Sequence, residues 1–295
     1  MTLVLSFNGT VAGGNQINFD DIDINKWVSV NLTHPVQPPP PPPPNLKINS
    51  DGFPAQALQV YWVLMKHGYT NDSIFLMLYH TGDTNGIDIN RNDGIVDDLA
   101  YAGVDVENDN VNSTRFKREL NVSISGSFAS KLIAQDQLII FMVDHGSNRM
   151  LGDGNATFHF EADNKYITEL EFYNLVKNIK CNRILINVDC CFSGNFLNQN
   201  NNIGQSWYNL PNCILVSAAS NVFSWYWINN FNGDNFAGSW FFHPFWDQLN
   251  KSQTILTAYN FACLFSPAII PPTRVVQIQR PLMKDYLGIA NSWTL

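Results

Sequence analysis

Three stretches of the chain are apolar at almost every position: QLIIFMV (Gln137 to Val143), RILINV (Arg183 to Val188) and CILVSA (Cys213 to Ala218). Short unbroken runs of this kind predict strands buried on both faces of a sheet. SIFLMLY (Ser73 to Tyr79) has the same character, and Lys26 to Leu32 and RVVQIQ (Arg274 to Gln279) are further strand candidates. Between them lie helical patterns at Pro54 to Lys66, around Arg115 to Ile133, at Glu169 to Asn178 and at Trp240 to Leu249. Strands separated by helices predict parallel β-α-β units with helices on both faces of the sheet. The expected fold is therefore α/β, a three-layer α/β/α sandwich with a mostly parallel sheet of about six strands. Residues 26–295 form one expected domain, preceded by an N-terminal extension, residues 1–25, with no assigned place in it.

A chain of 295 residues, 45% hydrophobic, can bury one sizeable core. Its net charge of −8 suits it poorly to neutralising phosphates, so nucleic acid is not an expected partner. Five cysteines make an odd number without metal-type CxxC spacing, which leaves at least one thiol free within a single chain. No apolar run reaches the length of a membrane span. The opening MTLVLSFNGTVAGG lacks the charged start of a signal peptide, and a cytoplasmic location is the expectation. Pro38 to Pro44 is an unbroken proline run that must form a stiff polyproline II rod, roughly 20 Å long at about 3.1 Å per residue. It reads as a rigid surface loop or as a docking motif for a proline-reading domain.

The candidate chemistry lies where two of the buried strands end. QLIIFMV runs into Asp144-His145-Gly146-Ser147, and RILINV into Asp189-Cys190-Cys191-Phe192-Ser193-Gly194. In open parallel sheets functional residues gather beyond the carboxyl ends of the strands, so neighbouring strands would bring His145 and Cys191 together. A thiol is mostly protonated at neutral pH and needs a base to make it a nucleophile; an imidazole supplies one. Gly146 can bring its N–H close to a reacting carbonyl, and the Cys191 N–H is a second donor for the oxyanion. Each half alone is a weak signal, since His-Gly is a common turn and a strand cysteine is commonly core. Together, 46 positions apart, they match the caspase-type order, in which the His lies about 50 residues upstream of the Cys.

These motifs resemble the legumain family of hemoglobinase-type cysteine peptidases, within the caspase-like clan. FMVDHGSN (Phe141 to Asn148), NVDCCFSGNF (Asn187 to Phe196) and VSAAS (Val216 to Ser220) carry the resemblance, with support from GIDINRNDG (Gly86 to Gly94) and VVQIQ. The resemblance implies a caspase-hemoglobinase-like sheet, a His/Cys dyad and endopeptidase activity through a thioester acyl-enzyme. It assigns His145 as base and Cys191 as nucleophile, and places Ser217 at a wall of the primary substrate pocket, where a plain strand-end serine is an equal reading. Cys190 then has a structural role, its side chain alternating to the other face of the strand from Cys191. The same dyad serves a transamidase or peptide ligase, and an inactive caspase-like interaction scaffold is the remaining reading.

The family's Asn-selective members hold the substrate side chain with an Arg before the first helix and an acidic residue two positions before the nucleophile. Asp189 fills the second position, but Gly52 stands at the first. A pocket with Asp189 and without that cation suits a basic P1 side chain as well as Asn. Trp225, in an aromatic run from Phe223 to Leu249, borders the cleft or packs as core. The acidic stretch Asp88 to Asp98 fails the EF-hand pattern: counted from Asp88, position six is Asp93 and position twelve Leu99. No cofactor is expected, and an irregular calcium site there is the weaker alternative to a polar loop.

Overall fold

A computed structural model describes residues 2–8, 52–80, 87, 89, 97–148, 156–197, 210–227, 238–264 and 279–295. The proline run, the Lys26 to Leu32 candidate and nearly all of RVVQIQ lie outside these residues. The described strands in chain order are β1 (Thr2–Asn8), β2 (Ile74–Leu78), β3 (Val106–Glu107), β4 (Gln137–Val143), β5 (Gly146–Ser147), β6 (Thr157–Phe160), β7 (Lys165–Thr168), β8 (Arg183–Asp189), β9 (Cys213–Ser217), β10 (Tyr226–Trp227), β11 (Gly238–Ser239) and β12 (Leu282–Asp285). The helices are α1 (Gly52–Lys66), α2 (Ser113–Glu119), α3 (Glu169–Val176), α4 (Phe242–Asn250) and α5 (Ile255–Leu264).

Seven strands form the central sheet in the order β12-β9-β8-β4-β1-β2-β3. The pairs β4–β8, β8–β9 and β2–β3 are parallel; β1 is antiparallel to both of its neighbours, and β12 is antiparallel to β9. Five strands therefore share one direction, as the mixed helix-strand pattern predicts, and the sheet holds one strand more than expected. The segment read as an extension supplies β1, whose backbone lies between β4 and β2. The strand paired with β9 is Leu282–Asp285, beyond RVVQIQ.

The apolar runs are explained by two cores. Along β4, Leu138, Ile140 and Met142 join Phe116, Phe158, Phe160 and Phe172 from α2, the β6–β7 hairpin and α3. The alternate residues Ile139, Phe141 and Val143 join Leu58, Tyr61, Phe242, Phe245 and Trp246 from α1 and α4. With apolar partners on both faces, a period of two has no polar positions to show. α3 starts on a capping box, in which the Thr168 hydroxyl accepts the Glu171 N–H at 3.2 Å and the Glu171 carboxylate accepts the Thr168 N–H at 3.0 Å. The helix expected over Arg115 to Ile133 stops at Glu119. Beyond it, Asn121 and Ser127 bond locally to the backbone, and Gly126 takes φ +77, so side-chain turns replace the helical ladder.

Candidate active site

β4 and β8 lie side by side in parallel register, Val143 opposite Asp189, and the Asp144 N–H extends the ladder to the Asp189 carbonyl at 3.2 Å. The two motif-bearing ends therefore leave the sheet together. The two ends are close at Gly146, where a Cβ would stand 2.6 Å from Cys190 Sγ and 3.0 Å from Cys190 Cβ, and closer still to the Cys191 carbonyl oxygen. No side chain fits there, which is the local reason for glycine.

His145 is exposed and held from several sides. Its N–H donates to Asp144 Oδ1 at 2.5 Å, its carbonyl accepts the His159 N–H at 3.0 Å, and its ring meets Phe53, near the start of α1, edge to face at 5.0 Å. Cys191 is partly exposed, and its thiol points at the Ser224 carbonyl, 3.9 Å away. Burial pushes the Cys191 thiol above its ordinary pKa, and the Asp189 carboxylate adds to the rise. Cys190, by contrast, is fully buried among the core side chains on the α2–α3 face, and burial holds its thiol well above the ordinary value. The alternation expected from the sequence is thus observed.

Asp189 is fully buried, and its Oδ1 accepts the Ser224 hydroxyl at 3.1 Å. Gln279 continues this polar run: its Nε2 donates to the Ala218 carbonyl at 2.8 Å, and its Oε1 accepts the Trp225 N–H at 3.2 Å. Trp225 is half-buried and lies beside Trp240, with ring centroids 6.3 Å apart. Ser217 is opposite Val188 in the β8–β9 register, so alternation sends it to the face of the sheet away from Asp189. It is fully buried, its hydroxyl donating to the Ala219 carbonyl at 3.0 Å. The structure therefore gathers His145, Gly146, Cys191, Asp189 and Trp225 around one pair of strand ends and leaves Ser217 on the other face. Gly52 opens α1 and is buried.

A model of the Peptidase C13 family matches residues 50–262, most of the chain and both strand ends. The chain belongs to the Peptidase C13 family. It is therefore a cysteine peptidase, a hydrolase of the legumain type with the caspase-hemoglobinase fold that its mixed sheet displays. No match to a curated protein was found. Among the described residues of this C13 peptidase, no helix is long and apolar enough to cross a membrane.

Sequence reasoning missed Phe53 and Ser224, two neighbours of the site. Phe53 has no local motif, and only the fold of α1 against β4 brings it to His145. Ser224 precedes Trp225 in a run whose aromatic character hid a polar contact. One further group has metal-ligand chemistry: Asp144, His159 and Glu161 place ligand atoms within 4.8 Å of one another. The His159 ring is already engaged there, Nδ1 3.2 Å from Glu161 and Nε2 3.1 Å from Asn164. Of the suggested calcium stretch, Asp88 lies outside the described residues, whereas Asp97 and Asp98 accept backbone N–H groups from Ile87 and Ile89.

Proposed function

We propose that this C13 peptidase cleaves internal peptide bonds with Cys191 as nucleophile and His145 as general base, without a metal or cofactor. The observation that carries the reading is the close approach of Gly146 to Cys190 and Cys191, which leaves no room for a Cβ and brings the two strand ends together. Because burial keeps the Cys191 thiol protonated in the free enzyme, proton removal accompanies attack. Sγ bonds to the scissile carbonyl carbon as His145 takes the thiol proton, and the Gly146 and Cys191 N–H groups receive the developing oxyanion. The C–N bond then breaks as His145 returns the proton to the leaving amine, which leaves a thioester. Water, deprotonated by His145, attacks that thioester; the C–S bond breaks, and the sulfur regains the proton.

Asp189 supplies the charge that selects the P1 side chain, either Asn or a basic residue. Its place two positions before Cys191 and its bond from Ser224 support the reading, because a carboxylate fixed beside the nucleophile favours a donor-rich or cationic group. The test is a peptide library varied at P1, cleaved by wild type, Cys191→Ala and His145→Ala, with alkylation of Cys191 measured in parallel. The expected result is cleavage after Asn, Lys or Arg by wild type alone. Equal cleavage by Cys191→Ala, or no cleavage of any peptide by wild type, overturns the reading. Adding an amine nucleophile to the same assay reveals acyl transfer in place of hydrolysis.

A further inference from the structure

Two aromatic residues beside Cys191 have no part in the reaction just proposed. Phe192 follows the nucleophile directly and adopts φ +60, the left-handed region that bulky side chains avoid. Its backbone is held there by its N–H to the Val222 carbonyl at 2.7 Å and by the Asn195 N–H to its own carbonyl at 3.0 Å. The Phe192 ring meets Phe223 edge to face, with centroids 5.3 Å apart. Neither ring joins either of the two cores, and Phe223 is 47% exposed. An unfavourable backbone and exposed apolar area, both within a few residues of a candidate nucleophile or its neighbours, are features that persist where function uses them.

Their position indicates which part of a substrate they meet. Across the sheet the order is β9, β8, β4. His145 leaves β4 on one side of Cys191, while Val222 and Phe223 follow β9 on the other. The amine that His145 must protonate departs on the β4 side, so the acyl half of the substrate runs along the β9 side. Phe223 also adjoins Ser224, which bonds Asp189, so it flanks the proposed P1 pocket.

We propose that Phe192 and Phe223 form the P2 subsite and take a large apolar side chain, aromatic or branched aliphatic, from the residue before P1. This rests on the peptidase reading above. The experiment uses the full chain and peptides with the best P1 fixed, with P2 varied over Ala, Leu, Phe, Asp and Lys, and a second series varied at P1′. Wild type is expected to favour Phe or Leu over Ala at P2 by about tenfold in kcat/KM, the scale of discrimination by an apolar pocket. Phe223→Ala is expected to bring that ratio close to one, and Phe223→Leu to retain most of it. A flat P2 profile in wild type, an unchanged ratio in Phe223→Ala, or apolar preference at P1′ in place of P2 overturns the subsite while leaving the peptidase intact. Absence of cleavage with every peptide removes both. Thermal melts and Cys191 alkylation of the variants show that a changed ratio does not come from misfolding.

Discussion

Replacing Gly146 with alanine adds one methyl group where the two strand ends meet. The new carbon would sit 2.6 Å from Cys190 Sγ and closer to the Cys191 carbonyl oxygen, against an optimum of roughly 3.5–4.0 Å between non-bonded carbons. Relief requires a separation of about 1 Å. Cys190 cannot yield easily, since its side chain is fully buried, and the other obstacle is backbone. The strand ends must therefore part, which moves His145 relative to Cys191. A misplacement of about 1 Å costs on the order of 100-fold in rate, and overpacking costs about 1–3 kcal/mol of stability. Gly146→Ala should thus lose about two orders of magnitude in kcat/KM on a peptide reporter while remaining folded by circular dichroism. Its Cys191 should still react with a small alkylating agent, because the thiol itself stays partly exposed. Activity within twofold of wild type would refute the close contact and, with it, the proposed placement of the oxyanion donor.

The Cys191 thiol is raised by burial, so its alkylation by iodoacetamide in the free enzyme should keep climbing through pH 9; a plateau by pH 7 would indicate a preformed thiolate. Burial also raises Cys190 and Cys213 well above the ordinary value and Cys181 to about 12. These thiols keep their protons in the native state while an unfolded chain loses them, so their contribution is complete below pH 9 and is lost as pH rises from 9 towards their native values. Each contributes a slope of at most about 1.4 kcal/mol per pH unit, and an unchanged urea midpoint between pH 8 and pH 10 would contradict the burial. Leu5→Pro removes an amide from β1, a strand paired on both sides, and should cost at least about 1–3 kcal/mol for the partner left unbonded; an unaltered melt would take β1 out of the sheet.

The parts of the fold legible in the sequence are those where composition leaves no choice. β4 matches QLIIFMV residue for residue, and β8 extends RILINV by one position, because a strand buried on both faces must be apolar throughout. β1 carries an equally apolar run, LVLSF, yet its place depends on partners 68 and more positions away, which no local pattern encodes. β12 is a half-exposed edge strand, LMKD, with no alternation to reveal it. In the candidate site, residues attached to the two strand ends were readable because the ends adjoin. Ser217 illustrates the opposite case: the resemblance carried by VSAAS placed it at a pocket wall, but strand parity turns its side chain to the other face from Asp189, as the plain strand-end reading had it. Phe53 and Ser224 reach the site only through packing of α1 and through the course of the chain after β9.

The parallel register of β4 and β8 has a consequence for how this chain tolerates change. Val143 faces Asp189, and one further backbone bond continues that match before both strands turn away. What sets the relation of His145 to Cys191 is this pairing, and the 46 positions between them are only the path that returns to it. Lengthening that path in its loops leaves the dyad untouched. A single residue deleted from β8 shifts its parity, sends Cys191 into the space of Cys190, and buries the nucleophile. Evolution and protein engineers alike are thus free with the loops of the intervening chain and bound at two strands of seven residues each.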